Sequence, residues 1–523
     1  MELIYDEEIL GRYVEQTNLK VSKQPEEHRA WKENKKLTIG ELKKYLAVDL
    51  YMDIVVREGS VGIYWSTGMW GDDFVKSVFG RDRFLRIRSN LTWTDTTDVP
   101  PAERAARNAV DGFWTITGLF DAVKNKYQKF YTPTSKLSID EVCVFFKGRH
   151  RCRCYNPSKP NKWHFKIYAL CDASNGFVYD WFLYRGKDER RPVGSSASEY
   201  PVDKLTSDNP QLHNKGYLLS ADNWFSSCKL VQRLQEGKGI GYVGTIRTNR
   251  QGFPREAVFP KTGAGVRARG SMKCMKITIN GMQYYLTSWQ DTKPVHILST
   301  FAPKKVTVRR MIRGGANGQW IRSDVPCPTS VPVYNDGMKG CDVSDQNNAY
   351  YDARRRVQGR WQPRLDRRVL KTSAIAANII RNKNKNSEET LLVFLKKLVT
   401  QWSGVECPEF SDEEGDGDSE NLDLNTDEDD SDVEEVGKKR GRRTLKTWEK
   451  DFHSRKTGRH FAEILPSMKA GDAYSNPRAS CMLCKDRVAS KCQTCGVYLC
   501  LKRGDGRDCF TEFHCNKILL PHP

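Results

Sequence analysis

The 523-residue chain contains no apolar run near the ~18–20 residues that a membrane-spanning helix requires. Its first residues, which include Glu2, Asp6, Glu7 and Glu8, lack the positive-then-apolar order of a secretory signal. The sequence also has no internal repeat, no lipidation motif and no amphipathic basic helix of the kind that binds membrane surfaces. We therefore expect an intracellular protein that does not act on a membrane.

Cysteine is scarce through most of the chain. Nine of the sixteen cysteines are scattered over the first 480 residues, and the other seven fall between Cys481 and Cys515. Scattered cysteines in an intracellular protein are usually reduced core residues, whereas a dense terminal cluster is typical of a metal site. The sequence thus excludes a disulfide-stapled scaffold for the main part of the chain.

The charge of the chain is strongly positive and unevenly distributed. The net charge is +20, although residues 409–435 hold fifteen Asp and Glu and no Lys or Arg. Such an excess favours a polyanionic partner, because each Lys or Arg set against a phosphate releases counterions. The acidic tract itself predicts an extended, disordered linker. It is followed by Lys438, Lys439, Arg440, Arg442 and Arg443, a pattern typical of a nuclear import signal.

The hydrophobic periodicity changes along the chain. Residues 1–130 show helical spacing, as in 37–56 and 72–91, and residues from about 136 alternate as strands do. The segment after Asp222 predicts a helix that begins at a capping Asp or Asn. Residues 240–335 again favour strands, and residues 340–400 favour helices. Hydrophobic residues make up 38% of the chain, enough to form a core, so a mixed α/β protein with several domains is expected.

Carboxylates stand at key points of these elements. Asp140 is expected at the end of a strand, Asp222 at the end of a later strand just before a probable helix, and Asp342 and Asp345 at the start of a helix. The i, i+3 spacing places the last two on one helix face. Carboxylates brought together repel one another unless a hard cation such as Mg2+ neutralises them, and two such ions suit phosphodiester chemistry. The spacing alone leaves open that these residues are only helix caps.

The terminal cysteine cluster predicts zinc. Its eight candidate ligands are Cys481, Cys484, Cys492, Cys495, Cys500, Cys509, His514 and Cys515. Two CxxC pairs followed by further Cys and His suit two tetrahedral Zn2+ ions of four ligands each. One cross-braced pairing puts Cys481, Cys484 and Cys500 on one ion, and Cys492, Cys495 and His514 on the other. Cys509 and Cys515 complete the two sets in an order that stays open. The module is too small to bury much core, so zinc is expected to supply its folding free energy.

A series of short sequence motifs, in the same order as in the family, resembles the piggyBac family of transposases from about Tyr13 to the C-terminus. They include TNLKV, YWSTGMWGDDFVKSVFGRDRFLRIRSNL, KLSIDEV, LSADNWFSS, GTIRTNR and YNDGMKGCDVSDQ, then RRVQGRW. The cysteine cluster is similar to the C-terminal domain of the family, which binds the transposon end. It also resembles RING and PHD modules, which leaves histone or ubiquitin-machinery binding as another reading. The family's usual Gly-Val before the third Asp is Gly340-Cys341 here.

The resemblance implies a fold and a set of domains. The expected fold class is α/β, an RNase H-like catalytic core with a β-rich insertion, flanking helical regions and a small zinc-binding domain. The implied segments run in chain order: a helical dimerisation and DNA-binding region at 1–134, the first part of the core at 135–235, the insertion at 236–335, the end of the core with further dimerisation and DNA-binding helices at 336–405, the linker at 406–470 and the zinc domain at 471–523.

The resemblance also implies an activity and its residues. It implies cut-and-paste transposition of double-stranded DNA at TTAA targets through hairpin ends, by a nuclear homodimer. Asp140, Asp222 and Asp342 fall on the catalytic aspartates and Asp345 on a fourth, which together are expected to hold two Mg2+ ions, replaceable by Mn2+. The DNA-contacting positions are expected to be Asn223, Arg247, Arg250, Lys159 and Lys162. Beside the last two, Trp163 either stacks on a base or packs in the core.

Two other functions compete with an active transposase. One is a domesticated relative that binds DNA without cutting it, and the other is a chromatin-interaction protein that docks through its zinc module and acidic tract. The presence of all four aspartates favours the enzyme, since a protein that only binds DNA does not need them.

Overall fold

The structure is a computed structural model. It describes residues 1–159, 162–186, 191, 196–259, 267–314, 319–352, 360–405 and short segments between 462 and 499. The chain divides into two compact units, Met1–Glu414 and Gly415–Pro523. Within the described residues, none of the helices is both long and apolar enough to cross a bilayer.

The N-terminal part of the first unit is helical. Its helices are α1 (Glu7–Ser22), α2 (Ile39–Ile54), α3 (Asp73–Val78), α4 (Arg81–Asn90), α5 (Pro101–Val110) and α6 (Trp114–Phe130). Three of them begin at a side-chain cap, in which Asp6, Thr38 and Asp72 accept hydrogen bonds from backbone N–H groups of the first turn. The helical prediction for residues 37–56 and 72–91 is confirmed, although the second segment forms two helices, α3 and α4.

A nine-stranded sheet forms the centre of the unit. Its strands are β1 (Lys136–Phe145), β2 (Cys154–Tyr155), β3 (Trp163–Asp172), β4 (Val178–Leu183), β5 (Leu218–Ala221), β6 (Gly241–Thr245), β7 (Met272–Ile279), β8 (Met282–Gln290) and β9 (Pro294–Ser299). The order is β2-β3-β1-β5-β6-β9-β8-β7, with β4 also on β3. β5 runs parallel to both β1 and β6, whereas β3 is antiparallel to β1. A parallel trio thus lies between antiparallel flanks.

The strands between 272 and 299 extend the same sheet. β9 pairs antiparallel with β6, and β8 and β7 continue outward from it. Beyond them, β10 (Lys305–Gly314) and β11 (Gln319–Pro328) form a separate two-stranded ribbon. The β-rich segment expected from the sequence is therefore partly a continuation of the central sheet. β6, which lies inside 236–335, pairs directly with β5.

Five further helices complete the described part of the first unit. They are α7 (Tyr200–Ser207), α8 (Cys228–Lys238), α9 (Ser330–Tyr350), α10 (Gln362–Lys385) and α11 (Leu391–Ser403). α9 crosses one face of the sheet over β1, β3, β5 and β6, and α6 and α10 pack together near β4 and β1. Strand β3 is buried over most of its length, as expected for a strand with a helix on each face.

Three local expectations are wrong. The strand carrying Asp140 runs on to Phe145, because its second half pairs antiparallel with β3. Asp342 lies well inside α9 and not at its start, because α9 begins at Ser330 and continues through two glycines. The helix after Asp222 begins at Cys228, where the Ser227 side chain caps it by accepting a hydrogen bond from the Leu230 N–H.

The second unit is described only in short strands. They are β12 (Ala462–Ile464), β13 (Met468–Ala470), β14 (Ala473–Ser475), β15 (Ala479–Ser480), β16 (Arg487–Val488) and β17 (Ser490–Cys492), paired β12 with β17, β13 with β14 and β15 with β16. The acidic tract at 409–435 and the basic cluster at 438–443 lie outside the described residues.

Candidate active site

Two of the expected carboxylates lie at neighbouring positions of the sheet. In the parallel register of β1 and β5, Ser138 pairs with Ser220 and Ile139 with Ala221. Asp140 and Asp222 are the next residue of each chain segment, at the point where the parallel pairing of β1 with β5 ends. The sheet therefore brings together two acidic residues that are far apart in the sequence.

The chain turns immediately after Asp222, and the turn uses its carboxylate. Oδ1 of Asp222 accepts a hydrogen bond from the Trp224 N–H at 2.8 Å, and its backbone oxygen accepts from Ser226 N at 3.2 Å. An Asp side chain that bonds the backbone two residues on is a common way to begin a turn. This turn ends β5 and keeps the carboxylate at the sheet edge.

Helix α9 brings the third carboxylate to the same pair of strands. A Cβ on Gly337 would overlap Oγ of Ser220, and a Cβ on Gly340 would lie 2.5 Å from Oγ of Ser138. The backbone N–H of Cys341 donates to Oγ of Ser138 at 3.1 Å. The helix thus lies in direct contact with β1 and β5, one residue before the exposed Asp342.

Tyr334 lies earlier on α9, and the charges of all three carboxylates affect the pKa of its hydroxyl. Burial raises the pKa of Tyr334 to about 12, and the negative charges of Asp222, Asp140 and Asp342 push it the same way. A hydrogen bond with the hydroxyl of Thr245 on β6, at 3.4 Å, opposes that rise. A single phenol that interacts with three aspartates places their charges around one region of the structure.

The two strand carboxylates lie in an environment that disfavours their charge. Burial raises the pKa of Asp140 to about 7, and the charge of Asp222 adds to the shift, while the Glu141 N–H, 2.7 Å from Oδ1, opposes it. Burial also raises the pKa of Asp222, and the hydrogen bond from the Trp224 N–H and the charge of Arg247 only partly oppose that rise. Clustered acidic groups with raised pKa values are a frequent mark of a functional site, and a bound cation would reverse these shifts.

Cationic side chains border the carboxylates. Burial lowers the pKa of Lys159, but the charges of nearby acidic groups, including Asp140, Glu141 and Asp345, outweigh it and the net shift is upward. Asp345 forms an ion pair with Arg368 of α10, with 2.6 Å between Oδ1 and the guanidinium. Lys159 is thus close to the site, and Asp345 is held from a second helix.

The structure describes all the predicted magnesium ligands but only two of the predicted zinc ligands. No three His, Cys, Asp or Glu side chains among the described residues are grouped closely enough to form a metal cage as they stand. Of the predicted zinc ligands, Cys481 is buried and Cys492 ends β17. The other predicted ligands lie outside the described residues, and they are Cys484, Cys495, Cys500, Cys509, His514 and Cys515.

Three of the expected DNA-contacting residues form one small network beyond Asp222. Nε of Arg247 donates to Oδ1 of Asn223 at 2.8 Å. Arg250 donates to the backbone oxygens of Asn223 and Trp224. Lys162 is exposed and directly precedes Trp163, the first residue of β3. The Trp163 ring centre lies 4.0 Å from the guanidinium of Arg153. The structure therefore joins Asn223, Arg247 and Arg250 but does not join Lys162 to them.

Comparison with known proteins gives a consistent match. The profile of the family described as Transposase IS4 matches residues 1–378. The human PiggyBac transposable element-derived protein 3 is 26% identical over 287 residues, which cover 53% of this chain and 44% of that protein. The human chimeric ERCC6-PGBD3 protein matches at 26% identity over 53% of this chain and 25% of its own length. The chain therefore spans less than half the length of either human relative.

A solved structure shares the fold. It is described as the cryo-EM structure of piggyBac transposase synaptic complex with hairpin DNA, with a TM-score of 0.63 and 23% identity, and the match covers 77% of this chain and 79% of that chain. This chain belongs to the piggyBac family of transposases. The mixed α/β architecture with one large sheet is thus the fold of a piggyBac-family protein.

One departure from the usual piggyBac sequence is explained by the packing. Cys341 is buried, with Sγ 3.6 Å from the Ala169 backbone oxygen and 3.8 Å from that of Ser138. A small apolar side chain is what this position requires, and a thiol meets that requirement as a weak donor. The residue therefore does not displace the helix that carries Asp342.

Sequence reasoning missed three residues of this piggyBac-family site. Tyr334 was signalled only by a polar aromatic two turns before Asp342 on the same helix. Arg368 carried no local signal, because it meets Asp345 through the packing of α10 on α9. Trp224, 39% exposed, stands in the motif LSADNWFSS, where an aromatic residue two positions beyond a predicted catalytic Asp was the available signal.

Proposed function

We propose that the protein cuts and joins DNA strands, with Asp140, Asp222 and Asp342 as catalytic carboxylates. The observation that carries the proposal is the packing of α9 on β1 and β5, which brings Asp342 to the strand pair that holds the other two. The sheet order β4-β3-β1-β5-β6, with β1, β5 and β6 parallel, supports an RNase H-like core. Family membership supports the same chemistry.

The donor chemistry fits a divalent cation. Burial raises the pKa values of Asp140 and Asp222, and a bound Mg2+ would stabilise their charged forms. We propose that Asp140, Asp222 and Asp342 hold Mg2+, with Asp345 as a fourth acidic group. Bound Mg2+ would activate an attacking oxygen and stabilise a leaving one on phosphorus. The chain's own part is to fix the carboxylates: Glu141 N–H and Trp224 N–H bond Asp140 and Asp222, and Arg368 holds Asp345.

The proposed substrate is double-stranded DNA. The structural neighbour is described as a complex with hairpin DNA, and the net charge of +20 suits such a polyanion. We further propose that cutting proceeds through hairpin ends at TTAA targets, in the nucleus, by a homodimer with two Zn2+ ions per chain in the terminal module. These finer points extend the piggyBac resemblance to this chain.

Cleavage is the test of the proposal. Full-length protein is incubated with Mg2+ and DNA that carries its terminal repeats, and the strands are separated on a denaturing gel. We expect nicks and hairpins from the unaltered chain, and at least a hundredfold loss in Asp140→Asn with DNA binding retained. Asp73→Asn is the control, because that side chain is fully exposed in α3. Firm binding without any cleavage would instead favour a non-cutting DNA-binding protein.

A further inference from the structure

A large aromatic side chain is exposed directly beside the carboxylates. Trp224 is 39% exposed, whereas its neighbour Phe225 is fully buried and Ser226 is buried as well. The Trp224 N–H donates to Oδ1 of Asp222, so its backbone is fixed to a proposed catalytic residue. Phe225 serves the core at this turn, and the Trp224 ring stands at the surface.

Two arginines hold this tryptophan in place. The guanidinium of Arg247 lies 5.8 Å from the centre of the Trp224 ring and also bonds Oδ1 of Asn223. Arg250 donates to the backbone oxygens of Asn223 and Trp224, and its Nη1 lies 3.4 Å from Oγ of Ser198. The backbone that carries the ring is therefore held by side chains from the segment after β6, which lowers the entropy lost when a ligand stacks on it.

The surroundings select the kind of ligand. A protein partner would favour a wider apolar surface, but the residues around Trp224 are the amide of Asn223 and the guanidinium groups of Arg247 and Arg250. An exposed aromatic ring set among arginines suits a nucleic acid, whose bases stack on the ring while its phosphates pair with the cations. Stacking is insensitive to the identity of the base, because every base has a π-face.

We propose that Trp224 is a stacking platform for a nucleobase that has left the duplex next to the phosphate being cut, with Arg247 on a neighbouring phosphate. This inference rests on the proposed function, which supplies the reason for such a base. A strand end or a tight hairpin deprives a nucleotide of its stacking neighbour, and the ring beside Asp222 replaces that neighbour. Trp224 is then a positioning residue for DNA, whereas the carboxylates carry the chemistry.

A binding experiment tests the stacking without cleavage. In an Asp140→Asn background, the protein is titrated with a duplex closed by a TTAA loop in which 2-aminopurine replaces one adenine at a time. Stacking on Trp224 quenches the fluorescence of 2-aminopurine. At one position of the loop, the protein with Trp224 should therefore quench this fluorescence and Trp224→Leu should not. Trp224→Phe retains an aromatic face and should restore most of the quenching. Trp70→Leu is the control, because Trp70 is 61% exposed in another part of the first unit.

A second experiment ties the role to the missing base. With DNA that carries the normal base, Trp224→Leu should lower affinity or the single-turnover cleavage rate about tenfold, as expected for the loss of one stacked base. With an abasic nucleotide at the quenched position, the unaltered protein and Trp224→Leu should behave alike. If Trp224 had a purely structural role, Trp224→Leu would lower the affinity or the cleavage rate equally for both substrates. Thermal melting of the variants checks that the fold is retained.

The outcomes separate the inference from the proposed function. Equal quenching by the unaltered protein and Trp224→Leu at every position overturns the stacking role, even if cleavage is normal. Failure of the unaltered protein to quench any position overturns it too. Position-specific quenching that is lost in Trp224→Leu supports the stacking role even if Mg2+ produces no cleavage, a result that would refute only the proposed cutting activity.

Discussion

Asp366 on α10 is an acidic residue outside the proposed catalytic set, and its environment opposes its charge. Burial raises its pKa to about 7, and a hydrogen bond from the Tyr13 hydroxyl, with 2.8 Å between the oxygens, only partly offsets that rise. Tyr13 belongs to α1, so the bond ties the first helix of the described chain to one of the last. The carboxyl group is therefore a titrating contact between α1 and α10.

Replacing Asp366 with Asn should change how stability depends on pH. Because the folded pKa is raised from 3.8 to about 7, the folded state holds an extra proton between these values, and stability falls as pH rises through that window. At pH 8 the buried charge costs stability, whereas Asn is neutral and its Oδ1 can still accept from Tyr13. We expect Asp366→Asn to be more stable than the unaltered protein by about 2 kcal/mol at pH 8.

Thermal denaturation at pH 5 and pH 8 measures this difference. The advantage of Asp366→Asn should shrink at pH 5, where most of the folded carboxyl is already protonated. Other groups titrate equally in both proteins, so the comparison isolates Asp366. The same stability difference at both pH values would show that Asp366 keeps an ordinary pKa in the folded state.

Individual residues of the candidate site could be identified from the sequence only where they belong to a short sequence motif. Asp140 and Asp222 stand in strand-like runs, so the local patterns place both on or beside strands, but they do not show that β1 continues past Asp140 to Phe145. Arg368 and Tyr334 could not be identified in this way, because they reach the carboxylates through the crossing of α9 with the sheet and with α10. Such contacts depend on tertiary packing, which no local spacing encodes.

At the scale of elements, α9 determines whether the third carboxylate reaches the other two. The sequence predicts a helix that starts near Asp342, and Gly337 and Gly340, which stand before it, have a low helix propensity. The structure continues the helix through them because both lie against strands, Gly337 on Ser220 and Gly340 on Ser138. Glycine has a low helix propensity, but because it lacks a Cβ it allows the backbone of α9 to approach the sheet closely.

Gly337→Ala should therefore damage both stability and activity. The new methyl group would overlap Oγ of Ser220, and overpacking of this kind typically costs about 1–3 kcal/mol. It would also push α9 outward and separate Asp342 from Asp140 and Asp222. Chemical denaturation gives the first effect and single-turnover cleavage the second.

Gly11→Ala supplies the matched control for this substitution. Gly11 lies inside α1, and a methyl group added there would meet nothing within 4 Å, so the change should stabilise the protein by about 0.5–1 kcal/mol and leave cleavage unchanged. Adding Ser220→Gly to Gly337→Ala should recover part of the loss by removing the overlapped hydroxymethyl group. No recovery, together with equal effects at positions 11 and 337, would show that the contact with β5 is unimportant.

At the scale of the whole molecule, the terminal cysteines predict a module whose folding depends on zinc. The structure describes Cys481 as buried and places Cys492 at the end of β17, and neither finding tests the ligand set. We expect two equivalents of zinc per chain, since the sequence offers eight ligands in two groups. Cys481→Ser should bind no more than one, as measured by elemental analysis.

Removal of zinc by a chelator should affect the two units differently. Cys274→Ser is the control for the zinc count, because Cys274 is exposed on β7 and should leave both equivalents bound. Prolonged treatment with a strong chelator should unfold the terminal module while the thermal transition of the first unit stays within a few degrees. If Cys481→Ser retains both equivalents, the proposed ligand set is wrong.

The overall architecture was predictable to the extent that the resemblance carried it. The alternation of helical and strand-like segments follows from the sequence, and the resemblance implies an α/β fold with an RNase H-like core. The continuation of β6 into β9, β8 and β7 did not follow, because strand order is fixed by pairings between segments that are remote in the chain. Local periodicity identifies strands but does not say which neighbour each will choose.

The long interval between β5 and α9 has a consequence for synthesis. As the chain leaves the ribosome, the strands bearing Asp140 and Asp222 emerge first, and β6 to β11 must follow before Asp342 appears. A growing chain, or one released before α9, therefore holds at most two of the three carboxylates. Given the proposed chemistry, a nascent or truncated product cannot nick the genome of the cell that makes it, and cutting begins only when translation has passed α9.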